Sequence, residues 1–179
     1  AVEGHAKAQN MLGVMYEKGL GLAQDFKTAV KCFRRAALQG DAVAQNNLGS
    51  MYMKGLGVLQ DSQKAVEWWR RSAEQGDAKA QFNLGVMYHQ GQGVPQDFKM
   101  AIKYLRLAAE QEYAEAQSNL GVMYNRGQGV PQDYKMALKY YRLAAEQGQA
   151  DAQLNLGVMH RNGWGVPQDF KKAQEYSRL

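Results

Sequence analysis

A glycine-rich stretch is the first feature of the sequence that could do chemistry. Residues 80 to 98 read AQFNLGVMYHQGQGVPQDF, with Gly91 and Gly93 inside a short polar run. Glycine-rich loops hold phosphates when they follow a strand and end in lysine followed by serine or threonine, because backbone N–H groups and the lysine then surround the anion. This stretch has neither feature. The sequence therefore disfavours a nucleotide-binding loop.

Nucleophilic and metal-binding side chains are few. The single cysteine, Cys32, excludes an internal disulfide and a cysteine-based metal cluster. The three histidines, His5, His89 and His160, are far apart in the sequence. No serine is followed by lysine three residues later, as one family of acyl-transfer enzymes requires. We therefore predict no catalytic residue, no metal and no cofactor, and a hydrolase of cell-wall material is the least favoured function.

The glycine-rich stretch is one copy of a repeat. Related segments begin at Ala116 and Ala152, and tripeptides that read NLG or MLG recur every 36 residues. Their glycines are Gly13, Gly49, Gly85, Gly121 and Gly157. A fixed period of about 20 to 50 residues is the signature of a solenoid or a related array. The sequence predicts a single array over residues 1–179, with units at approximately 5–40, 41–76, 77–112 and 113–148 and a truncated unit at 149–179.

Each repeat contains two helical patterns. The first covers about residues 77–90, with Asp77 as N-cap and Gly91 just beyond the end. The second covers about residues 98–111 and is capped by Asp97. No segment alternates apolar and polar residues as a strand does. The predicted fold class is therefore all-α.

The repeat also gives the candidate residues structural interpretations. The loop GQGVPQD joins two helices, and Gly85 is expected to contact a small residue of the paired helix, such as Ala101. His89 and His160 fall in different repeats, and because packed helices lie about 8 to 10 Å apart, the two rings cannot share a metal. Cys32 stands where other repeats have an aromatic residue, which favours a buried structural thiol.

These features carry a family resemblance. The unit AxAQxNLGxMYxxGxGVPQDxxKAxxYxxxAAEQG occurs in register along the whole chain and resembles the Sel1-like repeat, a relative of the tetratricopeptide repeat. The resemblance implies a right-handed α/α superhelix that acts as a scaffold for protein–protein contacts. It allows a bacterial periplasmic or secreted location as well as a cytoplasmic one, so it does not decide the compartment.

Several positions depart from the repeat pattern. Glu112 replaces a closing glycine, Tyr113 replaces a capping aspartate, and His160 replaces a tyrosine whose packing role it is expected to take. The chain begins with residues that align with the tail of a second helix and stops at Leu179 inside another. We expect a piece of a longer array with uncapped ends, which would permit end-to-end self-association.

Some positions of the first helices vary between repeats while the core positions stay constant. In the tetratricopeptide geometry that the resemblance implies, such positions line a concave surface. The predicted partner-binding residues are Lys79, Phe82, Val86, His89, Gln90, Ser118, Asn125, Arg126, Leu154, Arg161 and Asn162. Aromatic and arginine side chains carry most of the energy in many interfaces. The expected hot spot comprises Phe82, His89, Arg126 and Arg161.

Two sets of polar residues recur with the same period. The asparagines are Asn47, Asn83, Asn119 and Asn155. They could bind the backbone of an extended peptide, or each could bond to the backbone of the neighbouring repeat. The arginines are Arg34, Arg70, Arg106, Arg142 and Arg178, and we expect them to be ion-paired or solvated. A nucleic-acid role is disfavoured because phosphate tracking also needs aromatic or backbone contacts along the same stripe.

Composition and charge fit a binding module. The net charge is +5, but basic and acidic residues are interspersed, which disfavours a nucleic-acid surface. No run approaches the roughly 20 apolar residues that span a bilayer. The first residues also lack the pattern of a secretory signal. The sequence therefore predicts a soluble, non-catalytic adaptor for a peptide or folded protein partner, with a structural or self-assembling protein as the alternative.

Overall fold

The fold is built from α-helices. A computed structural model describes residues 2–176, with side chains from residue 5 onward. These residues form ten helices and no strand, which confirms the all-α prediction. The helices group into two compact units, residues 1–96 and residues 97–179. Within the described range, every helix is too short or too polar to cross a membrane.

The first unit contains five helices. They are α1 Val2–Lys18, α2 Phe26–Leu38, α3 Ala42–Lys54, α4 Ser62–Glu74 and α5 Ala78–Gln90. α1 packs on α2 and α3 packs on α4, and α2 and α4 in turn contact the next first helix, α3 and α5. Phe33, Leu48 and Met51 are buried in its core. Because each such side chain contributes about 1.5 to 3 kcal/mol when fully buried, these contacts between repeats stabilise the unit.

The second unit repeats this arrangement. Its helices are α6 Phe98–Glu110, α7 Ala114–Arg126, α8 Tyr134–Glu146, α9 Ala150–Asn162 and α10 Phe170–Tyr176. α6 packs on α7, α7 on α8, α8 on α9, and α9 on α10. Tyr141, Leu156 and Met159 are almost fully buried in the core of this unit. Each unit therefore has its own apolar core.

The predicted helix ends are confirmed. The carboxylate of Asp97 accepts hydrogen bonds from the N–H groups of Lys99 and Met100 at 2.9 and 3.0 Å. Asp77 accepts one from the N–H of Ala80 at 2.8 Å. Gly91 ends α5 in the left-handed region, with φ of 68°. Since an N-cap contributes about 1 kcal/mol, these residues fix where the helices begin.

In three repeats the glycine inside the first helix faces an aromatic ring of the paired helix. A Cβ atom at Gly121 would lie 2.5 Å from the Tyr141 ring, and one at Gly13 would lie 2.6 Å from the Phe33 ring. At Gly49 the nearest atoms belong to the Trp69 ring, at 2.7 Å. The expected contact with an alanine of the paired helix occurs at Gly49, where a Cβ atom would lie 3.1 Å from the Ala65 carbonyl oxygen, but in all three repeats the nearest atoms belong to the ring. Glycine is needed there because an aromatic ring packs directly on the helix backbone.

Candidate functional site

A groove lies on the first-helix side of the first unit. It has a volume of about 330 Å³, and residues of α3, α4 and α5 line it. The lining residues are Ser50, Met53, Lys54, Trp69, Phe82, Asn83, Val86, Met87 and Gln90. Trp69 and Met87 are buried, Phe82 and Val86 are half-buried, and Lys54 and Gln90 are exposed. The groove therefore has an apolar floor and polar residues at its edge.

Three of the five α5 residues predicted to bind a partner line this groove. They are Phe82, Val86 and Gln90. Lys79 is exposed near the start of α5, and His89 is half-buried near its end. The backbone carbonyl of His89 accepts a hydrogen bond from Gln96 Nε2 at 2.8 Å. Lys79 and His89 thus lie on the same helix as the groove residues but outside the lining.

Trp69 of α4 is a residue of the groove floor that is not among the predicted partner-binding residues. Its ring is 4% exposed, and its Nε1 donates a hydrogen bond to the backbone carbonyl of Asn46 at 3.1 Å. The ring reaches the groove because Gly49 has no side chain in its way. The sequence could have indicated this contact, because Gly49 in the first helix and Trp69 in the second helix belong to the same repeat.

The recurrent asparagines form contacts between first helices. Asn83 Nδ2 donates to Asn46 Oδ1 at 3.1 Å, and Asn47 Nδ2 donates to Asn10 Oδ1 at 3.0 Å. The acceptor is a side chain of the neighbouring repeat, which corrects the expectation of a backbone acceptor. Their equivalents in the second unit, Asn119 and Asn155, are half-buried. In the first unit, these amides help to hold adjacent repeats together.

In the second unit the predicted α7 residues differ in accessibility. Ser118 is only 5% exposed, so it contributes almost no surface to which a partner could bind, contrary to expectation. Asn125 is half-buried and forms a side-chain hydrogen bond with Tyr141. Burial raises the pKa of the Tyr141 hydroxyl to about 12, although this bond and the charge of Arg126 act in the opposite direction. Of the three predicted residues, only Arg126 is exposed.

A second hollow lies between α9 and α10. It has a volume of about 310 Å³, and its lining includes Leu154, Val158 and Arg161 of α9 and Phe170 of α10. Leu154 is 57% exposed and Phe170 is 66% exposed. Asn162 is exposed at the end of α9. Sequence reasoning missed Phe170 because it considered only first helices, although an exposed aromatic residue at a helix start could have indicated it.

Three of the recurrent arginines bond to a tyrosine of the next repeat. Arg34 donates to the Tyr52 hydroxyl at 2.8 Å, and Arg106 donates to the Tyr124 hydroxyl at 2.5 Å. Arg70 and Tyr88 form the same pair at 3.2 Å. The fifth arginine of the set, Arg178, lies outside the described residues. These arginine–tyrosine pairs refine the expectation of ion-paired or solvated side chains, because the acceptor is a neutral hydroxyl.

His160 takes the tyrosine position in the last turn of α9, as predicted. It is 5% exposed, and its ring stacks on Tyr176 with centroids 5.7 Å apart. Its Nδ1 is buried without a hydrogen-bond partner. Burial lowers the pKa of His160, and the charges of Lys172 and Arg142 act in the same direction while Asp169 opposes them. The imidazole is therefore held in its neutral form.

The other features of the sequence that could do chemistry have structural roles. Cys32 is buried as predicted, and desolvation raises the pKa of its thiol, which disfavours the reactive thiolate. Across residues 2–176, no three side chains of histidine, cysteine, aspartate or glutamate are grouped so that they could hold a metal ion. The loop after α5 is a connection between helices, with both of its glycines at positive φ.

Comparisons with known proteins identify the repeat. The family pattern described as Sel1 repeat matches residues 6–41, 42–77, 78–113, 114–149 and 150–179. No curated protein matches the chain. The structure of c5321, a protective antigen of uropathogenic Escherichia coli strains with an SLR fold, is 39% identical with a TM-score of 0.91. That alignment covers 97% of this chain and 37% of c5321.

A second solved structure covers more of its own chain. A Sel1 repeat protein from Oxalobacter formigenes is 36% identical with a TM-score of 0.94, over 98% of this chain and 70% of that protein. Both relatives have the helical repeat fold that the sequence predicts. The five matched repeats extend over nearly the whole sequence. The chain therefore belongs to the Sel1 repeat family.

Proposed function

We propose that this chain is a non-catalytic protein-interaction module that binds a peptide or protein partner on the faces of its first helices. Sel1 repeats are related to tetratricopeptide repeats, which commonly serve as interaction scaffolds. The observation that carries the proposal is the groove between α3 and α5, with its apolar floor and polar edge. Binding sites of this kind combine apolar contact area with a few polar groups that fix orientation.

Hydrogen bonds hold two of the side chains that line the groove. Trp69 is held by its hydrogen bond to Asn46, and Asn83 is held by its own bond to the same residue. Side chains fixed in this way lose little conformational entropy on binding, so more of the contact energy appears as affinity. Phe82 stands between this floor and solvent, where an aromatic residue acts as an anchor.

In the second unit we propose that Leu154, Arg161 and Asn162 of α9, with Arg126 of α7, contact the partner. Leu154 and Arg161 line the hollow beside α10, and both arginines are exposed. An exposed arginine beside an exposed apolar side chain is a frequent combination at protein interfaces. Asn125 and Ser118 are less accessible, and we expect them to pack beneath the residues that contact the partner.

The proposal is tested by affinity capture from a lysate of the source cells. The wild-type protein is compared with a variant that carries Phe82→Ala, Arg126→Ala and Arg161→Ala. A matched control carries Leu38→Ala, Lys27→Ala and Lys31→Ala on α2, all of which are exposed. Circular dichroism must show unchanged helicity for both variants. We expect a partner that the wild type and the control retain and the first variant loses.

The opposite pattern would place the interface elsewhere. If the control variant loses the partner while the first-helix variant retains it, the second helices form the binding surface and the proposed site is wrong. A partner retained equally by all three proteins would likewise contradict the assignment of Phe82, Arg126 and Arg161.

A further inference from the structure

We infer that the groove of the first unit binds an acidic peptide segment with one apolar anchor residue. This inference rests on the proposed function, because it names the chemistry of the partner for the same groove. It depends on two separate observations, the composition of the floor and the charge of the first-helix positions around it.

The floor indicates an apolar anchor. Trp69, Met87 and Met53 provide a ring and two flexible thioethers, and Phe82 and Val86 extend this apolar surface toward solvent. Methionine side chains adapt to ligands of different shape, so the floor would accept either an aliphatic or an aromatic residue. The volume of about 330 Å³ is at the lower end of the range for ligand sites, which fits one or two side chains.

The charge around the groove indicates acidic residues beside that anchor. Lys54 lines the groove itself and is exposed. Lys79 lies one α-helical turn before Phe82 on α5 and is also exposed. The basic excess would attract a negatively charged peptide and raise its association rate.

The N-cap aspartates of the two first helices that line the groove, α3 and α5, are already engaged. Asp41 accepts a hydrogen bond from the N–H of Ala44 at 2.7 Å, and Asp77 accepts one from the N–H of Ala80 at 2.8 Å. Both carboxylates compensate the positive ends of their own helices. They therefore reduce the attraction of the lysines for an acidic peptide less than solvated carboxylates would.

A random peptide library tests the inference without knowledge of the partner. Phage-displayed 12-residue peptides are selected on the immobilised wild-type chain, and the enriched peptides are synthesised with a fluorescent label. Their affinity is measured by anisotropy for the wild type, for Lys54→Glu with Lys79→Glu, and for a matched control, Lys27→Glu with Lys31→Glu. The control makes the same change in net charge on α2.

We expect the enriched peptides to carry aspartate or glutamate within a few residues of an aliphatic or aromatic residue. The groove variant should bind them about tenfold more weakly, a factor that corresponds to about 1.4 kcal/mol, and the control should differ by less than about twofold. Affinity should also fall as salt concentration rises, because exposed charges are screened.

Other outcomes separate this inference from the proposed function. Enriched peptides that are neutral or basic, or equal losses in both charge variants, would overturn the inference. If those peptides still lose binding when Phe82 is replaced by alanine, the groove remains the binding site and the proposed function stands. A library that yields no peptide above background would contradict peptide binding by the groove itself.

Discussion

Arg106 and its equivalents connect adjacent repeats through one hydrogen bond to a tyrosine hydroxyl. The pairs Arg34 with Tyr52 and Arg106 with Tyr124 have the same sequence offset, so the repeat period alone could have indicated them. In the last repeat the tyrosine is replaced by His160, whose buried Nδ1 lacks a hydrogen-bond partner. A buried polar atom without a partner costs about 1 to 3 kcal/mol. His160 is therefore a weak point of the second unit.

His160 should make the stability of the second unit depend on pH. Its folded-state pKa is lowered by burial, so the unfolded state binds a proton more readily. The stability that the neutral ring contributes is complete above the unfolded pKa of about 6.5 and is lost as the pH falls below that value. Urea unfolding between pH 5 and pH 8 would measure this loss.

The control for this prediction is His160→Tyr. A tyrosine at position 160 would accept a hydrogen bond from Arg142, as Tyr52 does from Arg34 and Tyr124 does from Arg106. This bond should raise the free energy of unfolding by about 1 kcal/mol. It should also remove most of the pH dependence between pH 5 and pH 7. If the slope persists in this variant, another group is responsible for it.

Helix ends and helix contacts follow from different properties of the sequence. Caps such as Asp97 and Gly91 act through their own backbone conformation and local hydrogen bonds, so the sequence predicts them well. The ring of Tyr141 against Gly121 depends instead on how two helices face each other. Periodicity shows which residues face the partner helix but not which one contacts it. For that reason the sequence predicted that the glycine contacts the paired helix but did not identify the ring as its nearest neighbour.

The junction between α6 and α7 contains a strained residue. Glu112 has a φ of 61° where Gly40, Gly76 and Gly148 stand in other repeats. A residue with a side chain is destabilised by about 1 to 2 kcal/mol in the left-handed region. Glycine avoids this strain, but it loses more conformational entropy on folding, which offsets part of the gain. We expect Glu112→Gly to raise the free energy of unfolding by about 0.5 to 1 kcal/mol in urea denaturation.

Gly76→Ala provides the reciprocal control. A Cβ atom at Gly76 would meet nothing within 4 Å, so the substitution introduces only the backbone strain. It should lower the free energy of unfolding by about 1 kcal/mol. No change in either variant would show that this junction relaxes to another conformation without cost.

The helix glycine should be far less tolerant. Gly121→Ala would place a methyl group 2.5 Å from the Tyr141 ring, and overpacking of this kind costs about 1 to 3 kcal/mol. Leucine occupies the equivalent of position 141 in the third repeat, at Leu105. In a double-mutant cycle measured by urea unfolding, Gly121→Ala should therefore cost less in the presence of Tyr141→Leu. Equal costs in both backgrounds would mean that the ring is not the obstacle.

At the scale of the whole molecule, repetition determines the fold and departures from repetition determine the candidate site. The sequence predicted the all-α repeat fold because the same core residues recur in every unit. It also selected Phe82, Val86 and Gln90, which line the groove, because they share one face of the first helix and the positions of Phe82 and Gln90 vary between repeats. It did not predict that Ser118 is buried or that Phe170 joins a hollow, since both depend on packing between helices.

The central claim is that a partner contacts the first-helix face. Site-specific photocrosslinking in the source cells tests it most directly, with p-benzoylphenylalanine placed at Phe82 in the groove or at Leu38 on α2. Leu38 is 71% exposed, so the probe is accessible at that position as well. We predict a covalent adduct of defined mass from the Phe82 probe and none from the Leu38 probe. An adduct from Leu38 alone would contradict the account and place the interface on the second helices.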